Sequence, residues 1–197
     1  PDENVVVARN EDYWGEKAVW DTVTFRIFKN SSARVAAILS GDVDMIESIP
    51  TADTRRLQSS DDLTVTNVAG NRVMYLHMDQ DREVSPFAKG PDGKNPLLKP
   101  EVRRALSLSL NRQAIVDRIM DGQGVPAGQL VPEGYFGYDP SIAVDPYDAE
   151  KATQLLADAG YPDGFSLTFH ASNDRYPNDS KVAQAIGQFF SRIGVKT

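Results

Sequence analysis

Hydrophobic and polar positions alternate in short blocks along the chain, and the period of each block predicts an element. Val23, Phe25 and Ile27 alternate with Thr22, Thr24 and Arg26, the period-two pattern of a half-buried strand. Val35, Ile38 and Leu39 then recur at helical spacing across Ala33 to Ser40, and Gly41 stands where a helix ends. Thr51 to Gln58 reads as a second short helix after Pro50. Leu63 to Val68 alternates again as a strand, and Val73 to Met78 is apolar enough to predict a strand buried on both faces. Ser85 to Pro100 is rich in Pro, Gly and Lys and reads as a surface connection, with the main boundary of the chain placed there.

Beyond that connection the period lengthens. Pro100 suits the first turn of a helix through Val102, Ala105, Leu106 and Leu110. A second helix carries Ile115, Ile119 and Met120 up to Gly122. A third is predicted from Asp145-Pro146, with Ala152, Leu155, Leu156 and Ala159 on its buried face and Gly160 closing it. Phe165, Leu167 and Phe169 alternate as a strand. Asn178 or Ser180 then caps a helix bearing Val182, Ala185, Ile186, Phe189 and Phe190, which stops at Gly194. Strands interleaved with helices predict an α/β protein. Both ends read as cut from a sheet, and the chain is expected to be a fragment.

Composition narrows the function. The chain has 197 residues, 41% of them hydrophobic and 25% charged, and no apolar run approaches the ~18 residues of a membrane span. Its 21 basic and 28 acidic residues leave a net charge of -7, with the basic ones scattered. Nucleic acid, which requires a basic face, is therefore not expected as a partner. The absence of cysteine removes disulfides, thiolate metal sites and a cysteine nucleophile together.

Catalytic and metal patterns find no support in the residues. His77 and His170 lie far apart with no partner one helical turn away, and Asp42 and Asp44 lack the further ligands of a calcium loop, so no metal is expected. Gly122-Gln-Gly124 follows a helix and lacks the spacing of a dinucleotide fingerprint. No nucleophile elbow is present, and neither a cofactor nor a catalytic residue is assigned. The segment Asn173 to Asn178 carries more promise, because it follows an apolar strand at the end where open α/β folds bind ligands. Arg175 offers a planar fork for a carboxylate and Tyr176 a ring with a polar tip. The same residues also fit a capped loop with a surface arginine, and residue type alone leaves both readings open.

Several segments in order resemble the family 5 extracellular solute-binding proteins, which include dipeptide, oligopeptide, glutathione and nickel binders. Asn10-Glu-Asp-Tyr-Trp-Gly15 is similar to the family's Asn-Pro-x-Tyr-Trp-Gly, with Glu11 in place of proline. Ala37-Ile-Leu-Ser-Gly-Asp-Val-Asp44 is similar to its Ala-Leu-x-Ser-Gly-Glu-x-Asp. Pro100-Glu-Val-Arg-Arg-Ala-Leu-Ser107 with Asn111-Arg-Gln-Ala-Ile115 resembles another of its stretches. So do Tyr147-Asp-Ala-Glu-Lys-Ala152 with Ala159-Gly-Tyr-Pro162, and Ile193-Gly-Val195. The resemblance implies part of a two-lobed, type II periplasmic-binding fold that closes on its ligand by hinge motion. Residues 1–98 would belong to the large lobe near the hinge, and 99–197 would begin the second lobe. The signal sequence or lipoprotein anchor and the C-terminal portion would be missing.

The function implied is the binding component of an ABC importer. Its ligand would be a short peptide or related anionic solute, its partners a membrane permease and ATPase, and its location the periplasm or the outer face of the membrane. Tyr75-Leu-His-Met-Asp79 resembles a family strand that passes the cleft, with Asp79 where asparagine is usual, which makes Tyr75, His77 and Asp79 candidate ligand residues on one face. Arg175-Tyr-Pro-Asn178 resembles the dipeptide binders' arginine motif, with the tyrosine directly after the arginine, and adds Arg175 and Tyr176, beside Asn173 from the loop reading above. Trp14 is expected to pack a loop and Arg103 to pair across helices. Rival readings are a nickel or nickel-chelate binder of the same family, an α/β hydrolase, and a chemoreceptor or adaptor partner.

Overall fold

The computed structural model describes residues 4–173 and 175–197, and the chain divides into two compact units, one ending at Arg56 and the other running from Leu57 to Thr197. The smaller unit opens with an antiparallel pair, β1 (Asn4–Ala8) and β2 (Thr22–Arg26), in a register from Asn4 opposite Arg26 to Ala8 opposite Thr22. Valine and threonine suit this ladder because their branched side chains are already restricted in rotamer. The predicted half-burial is not found: only Val23 is partly covered, and Phe25 and Ile27 are exposed. Arg9 fixes the chain after β1, bonding Asp21 through its backbone and pairing with Asp21 and Glu11 through its guanidinium. Trp14 leans only on the Tyr13 ring and is 90% exposed, so the packing expected of it is absent among the described residues.

Helix α1 (Ser31–Leu39) begins at Asn30, whose side chain accepts from the Ser32 and Ala33 amides and satisfies two of the free donors of the first turn. It buries Val35 and Ala37, leaves Leu39 exposed, and ends at Gly41 in the left-handed region (φ 74°). Helix α2 (Thr51–Gln58) has the span its sequence predicts and carries Leu57, which is fully buried.

The larger unit is built on α3 (Pro100–Leu108) packed against α5 (Ala149–Asp158). Val102, Ala105, Leu106 and Leu108 of α3 meet Ala152 and Leu156 of α5 in a core completed by Phe165, Phe190 and Val195. Pro100 opens α3, where its missing N–H costs nothing. Arg103 does not pair across helices as expected; its guanidinium donates to the carbonyls of Leu97 and Leu98, at 2.8 and 3.0 Å. Asn111 caps α4 (Arg112–Arg118).

Helix α5 starts three residues later than predicted. Asp148 is its cap, accepting from the Lys151 amide at 2.8 Å, while Asp145 is drawn away to Ser107 and Arg104. The Asp148 amide in turn donates to the Leu108 carbonyl, joining the start of α5 to the end of α3. At the other end Lys99 donates to the Ala159 carbonyl, and Gly160 turns the chain at φ 93°.

The predicted strands at Leu63–Val68 and Val73–Met78 are absent; both stretches run without a ladder partner. Alternation predicts which side chains face inward, but a strand also requires a neighbour for its N–H and C=O groups. In the second stretch Leu76 and Met78 do pack on the core, although Tyr75 is 65% exposed, so burial is one-sided. The sheet of this unit is small. β3 (Ala88–Lys89) pairs antiparallel with β4 (Ser166–Leu167), and Lys196 lies parallel to Ser166. Phe169, predicted within the strand, falls beyond its end. Helix α6 (Asp179–Arg192) follows, and Gly194 at φ 85° returns the chain to β4.

Candidate functional site

The loop from Thr168 to Asn178 joins β4 to α6, and its shape is set by one buried carboxylate. Asp179 Oδ2 accepts from the Ser172 hydroxyl at 2.6 Å and from the backbone amides of Arg175 and Tyr176 at 3.0 and 3.2 Å. Its Oδ1 accepts from the Ser180 amide at 2.8 Å. An acidic side chain in the first turn of a helix is also stabilised by the positive end of the helix dipole. Neither residue expected to cap this helix does so through its side chain. Asn178 adopts φ 54°, makes no side-chain cap, and donates instead to the Ile119 carbonyl at 2.7 Å. The loop is thereby tied both to its own helix and to the end of α4.

The Arg175 and Tyr176 amides are thereby held, and only part of the loop faces outward. Asn173 and Arg175 are exposed and Tyr176 is half-buried. The Arg175 guanidinium carbon lies 5.4 Å from the centroid of the Tyr176 ring, and that of Arg72 lies 5.7 Å from the same centroid. Both fall within the range of an attractive cation–π contact. The result is a ring flanked by two planar donor groups, an arrangement able to receive an anion by bidentate hydrogen bonds.

The other candidates occupy the extended stretch that follows Arg72. Tyr75 and His77 are exposed on the side opposite Leu76 and Met78. Asp79 is engaged in its own turn: Oδ1 accepts from the Asp81 and Arg82 amides at 3.3 Å, and the Arg82 guanidinium lies 3.6 Å from Oδ2. The hydrogen bond donated by the Arg82 backbone N–H is the main cause that holds this carboxyl below the usual aspartate range. No hydrogen bond or ring contact among the described residues joins Tyr75, His77 or Asp79 to Arg175 or Tyr176; Arg72 is the residue that links this stretch to the loop. Two shallow concavities lie elsewhere in the unit. One, of about 290 Å³, is lined by Asn111, Arg118, Tyr147, Phe189 and Arg192; the other, of about 340 Å³, by Arg112, Pro126, Asp145 and Tyr147.

Sequence reasoning missed Arg72 and Asp179. Asp179 was detectable in principle, as an acid beginning a helix behind a polar loop. Arg72 had no local signal. Replacing Asp179 with alanine is expected to leave three loop donors without an acceptor and to cost about 2 kcal/mol. Hydrogen exchange at the Arg175 and Tyr176 amides would read it: both should lose protection in Asp179→Ala and keep part of it in Asp179→Asn, and unchanged protection would refute the assignment.

Over residues 1–197 the sequence matches the family described as bacterial extracellular solute-binding proteins, family 5 middle. It is 29% identical over 202 residues to heme-binding protein A of Haemophilus influenzae, across 100% of this chain and 34% of that protein. It is 32% identical over 193 residues to the glutathione-binding protein GsiB of Salmonella typhimurium, across 98% and 35%. Its fold is like that of the ABC transporter-associated periplasmic binding protein DppA of Helicobacter pylori, solved with the peptide STSA. The TM-score is 0.74 and the identity 28%, over 99% of this chain and 35% of that one. The chain thus spans about a third of the length of the curated relatives it matches. By its match along the whole sequence, the chain belongs to family 5 of the bacterial extracellular solute-binding proteins.

Proposed function

We propose that this chain is part of the binding component of an ABC importer, capturing a short peptide or related anionic solute in the periplasm or at the outer face of the membrane. The observation that carries the reading is the loop before α6: its backbone is fixed by Asp179, and the exposed Arg175 fork stands beside the Tyr176 ring. A donor group positioned before the ligand arrives loses less freedom on binding. The peptide bound by the H. pylori relative and the glutathione of the Salmonella relative both support an anionic, peptide-like ligand. The protein binds and releases its solute without covalent chemistry and delivers it to a permease driven by an ATPase subunit. In the complete protein residues 1–98 belong to the larger lobe near the hinge and 99–197 to the second. Tyr75, His77 and Asn173 supply further ligand contacts.

In the full-length protein, Arg175→Ala is expected to raise the dissociation constant for a short peptide at least tenfold, about 1.4 kcal/mol, by isothermal calorimetry. An unchanged affinity would remove Arg175 from the site.

A further inference from the structure

We propose that Arg72 is a second cationic anchor of this site, so that the solute it favours carries two anionic groups. The inference rests on the binding reading given above. Arg72 and Arg175 both stack toward one ring, that of Tyr176, at 5.7 and 5.4 Å. Neither guanidinium has a carboxylate within ion-pair distance among the described residues. Two like charges gathered on one aromatic ring repel each other, and in water the ring's attraction for each is modest. Anionic groups of a ligand supply a countercharge to both.

Geometry favours two anchors over one. Arg175 belongs to the loop whose amides Asp179 holds, whereas Arg72 comes from the extended stretch leading to Tyr75. The two forks therefore approach the ring from separate backbones, and each can take its own carboxylate in the paired fashion that arginine favours. All of these residues lie in the compact unit from Leu57 to Thr197. The solute class indicated is a short peptide with an acidic side chain besides its terminal carboxylate, or another small dicarboxylate.

The test uses full-length protein and two synthetic tripeptides, Ala-Ala-Ala and Ala-Ala-Glu, titrated by calorimetry. Wild type is expected to bind Ala-Ala-Glu about tenfold more tightly, and Arg72→Gln to abolish that preference while leaving Ala-Ala-Ala within about twofold. Arg175→Gln should weaken both. Should Arg72→Gln not fold, Arg72→Lys, which keeps the charge but loses the planar fork, is expected to cut the preference to about threefold. A preference untouched by the folded Arg72 variant, or an equal loss for both peptides, overturns the second anchor while the peptide-binding reading stands. Failure of wild type to bind either peptide overturns both.

Discussion

Phe190→Ala is expected to destabilise the larger unit by about 4 kcal/mol, within the usual range for emptying a buried aromatic site. Phe190 is 1% exposed and sits where the apolar face of α6 meets the core formed by α3 and α5. Its loss removes the transfer free energy of the ring and leaves a cavity that rigid neighbours on several elements cannot close. The Phe190 carbonyl, which alanine retains, accepts from the amides of Ile193 and Val195 at 3.1 and 3.0 Å, so the loss reports on the ring and not on the turn that ends α6. Urea denaturation of the full-length protein, with hydrogen exchange along α6, measures the effect. A loss below about 1 kcal/mol would mean that the site collapses and that the core does not depend on this ring.

Gly164→Ala should cost roughly as much, about 4 kcal/mol, for an unrelated reason. Gly164 lies at φ 74°, and a Cβ there would stand 2.0 Å from the carbonyl oxygen of Gly194. That contact is with backbone, so no side-chain rotation relieves it. Relief would require separating β4 from the returning chain, where Lys196 donates to the Phe165 carbonyl at 2.9 Å and Leu167 donates to that of Lys196 at 2.7 Å. Gly194→Ala is the control. Its φ is also positive, at 85°, but a Cβ would meet nothing closer than 3.6 Å, so only the conformational cost of about 1 kcal/mol is expected. Denaturation midpoints of the two variants in the same background separate steric clash from backbone strain; equal losses would refute the clash.

The helices were the most legible part of the fold, because their signals are local. Thr51–Gln58 was found with its observed bounds, Pro100 does open α3, and Gly160 and Gly194 do stand at positive φ where helices stop. The third helix of the second half shows the limit of local signals. Two aspartates precede it, both able to cap, and the choice of Asp148 over Asp145 follows from Arg104 and Ser107 on a neighbouring helix. Strands were read less well for the same reason. Leu63–Val68 alternates and Val73–Met78 is apolar, but pairing depends on what lies beside them in space. The site divides likewise. Arg175 and Tyr176 were visible in a polar loop between an apolar strand and a helix. Arg72 sits on the same ring yet is a hundred or so residues distant in the chain, and periodicity carries no information over that range.

The pairing of Ser166 with Lys196 has a further meaning. β4, α6 and the segment around Lys196 together form a strand–helix–strand crossover, the connection that two parallel segments require. The frame of that crossover is secured at its two glycines and in the hydrophobic interior, away from the loop that bears Arg175. On the binding reading proposed above, changes at Arg175 and Tyr176 leave the frame intact so long as Asp179 keeps its amides and Asn178 its bond to Ile119. Recognition and architecture would then be separately variable, and one scaffold could carry loops suited to chemically different solutes.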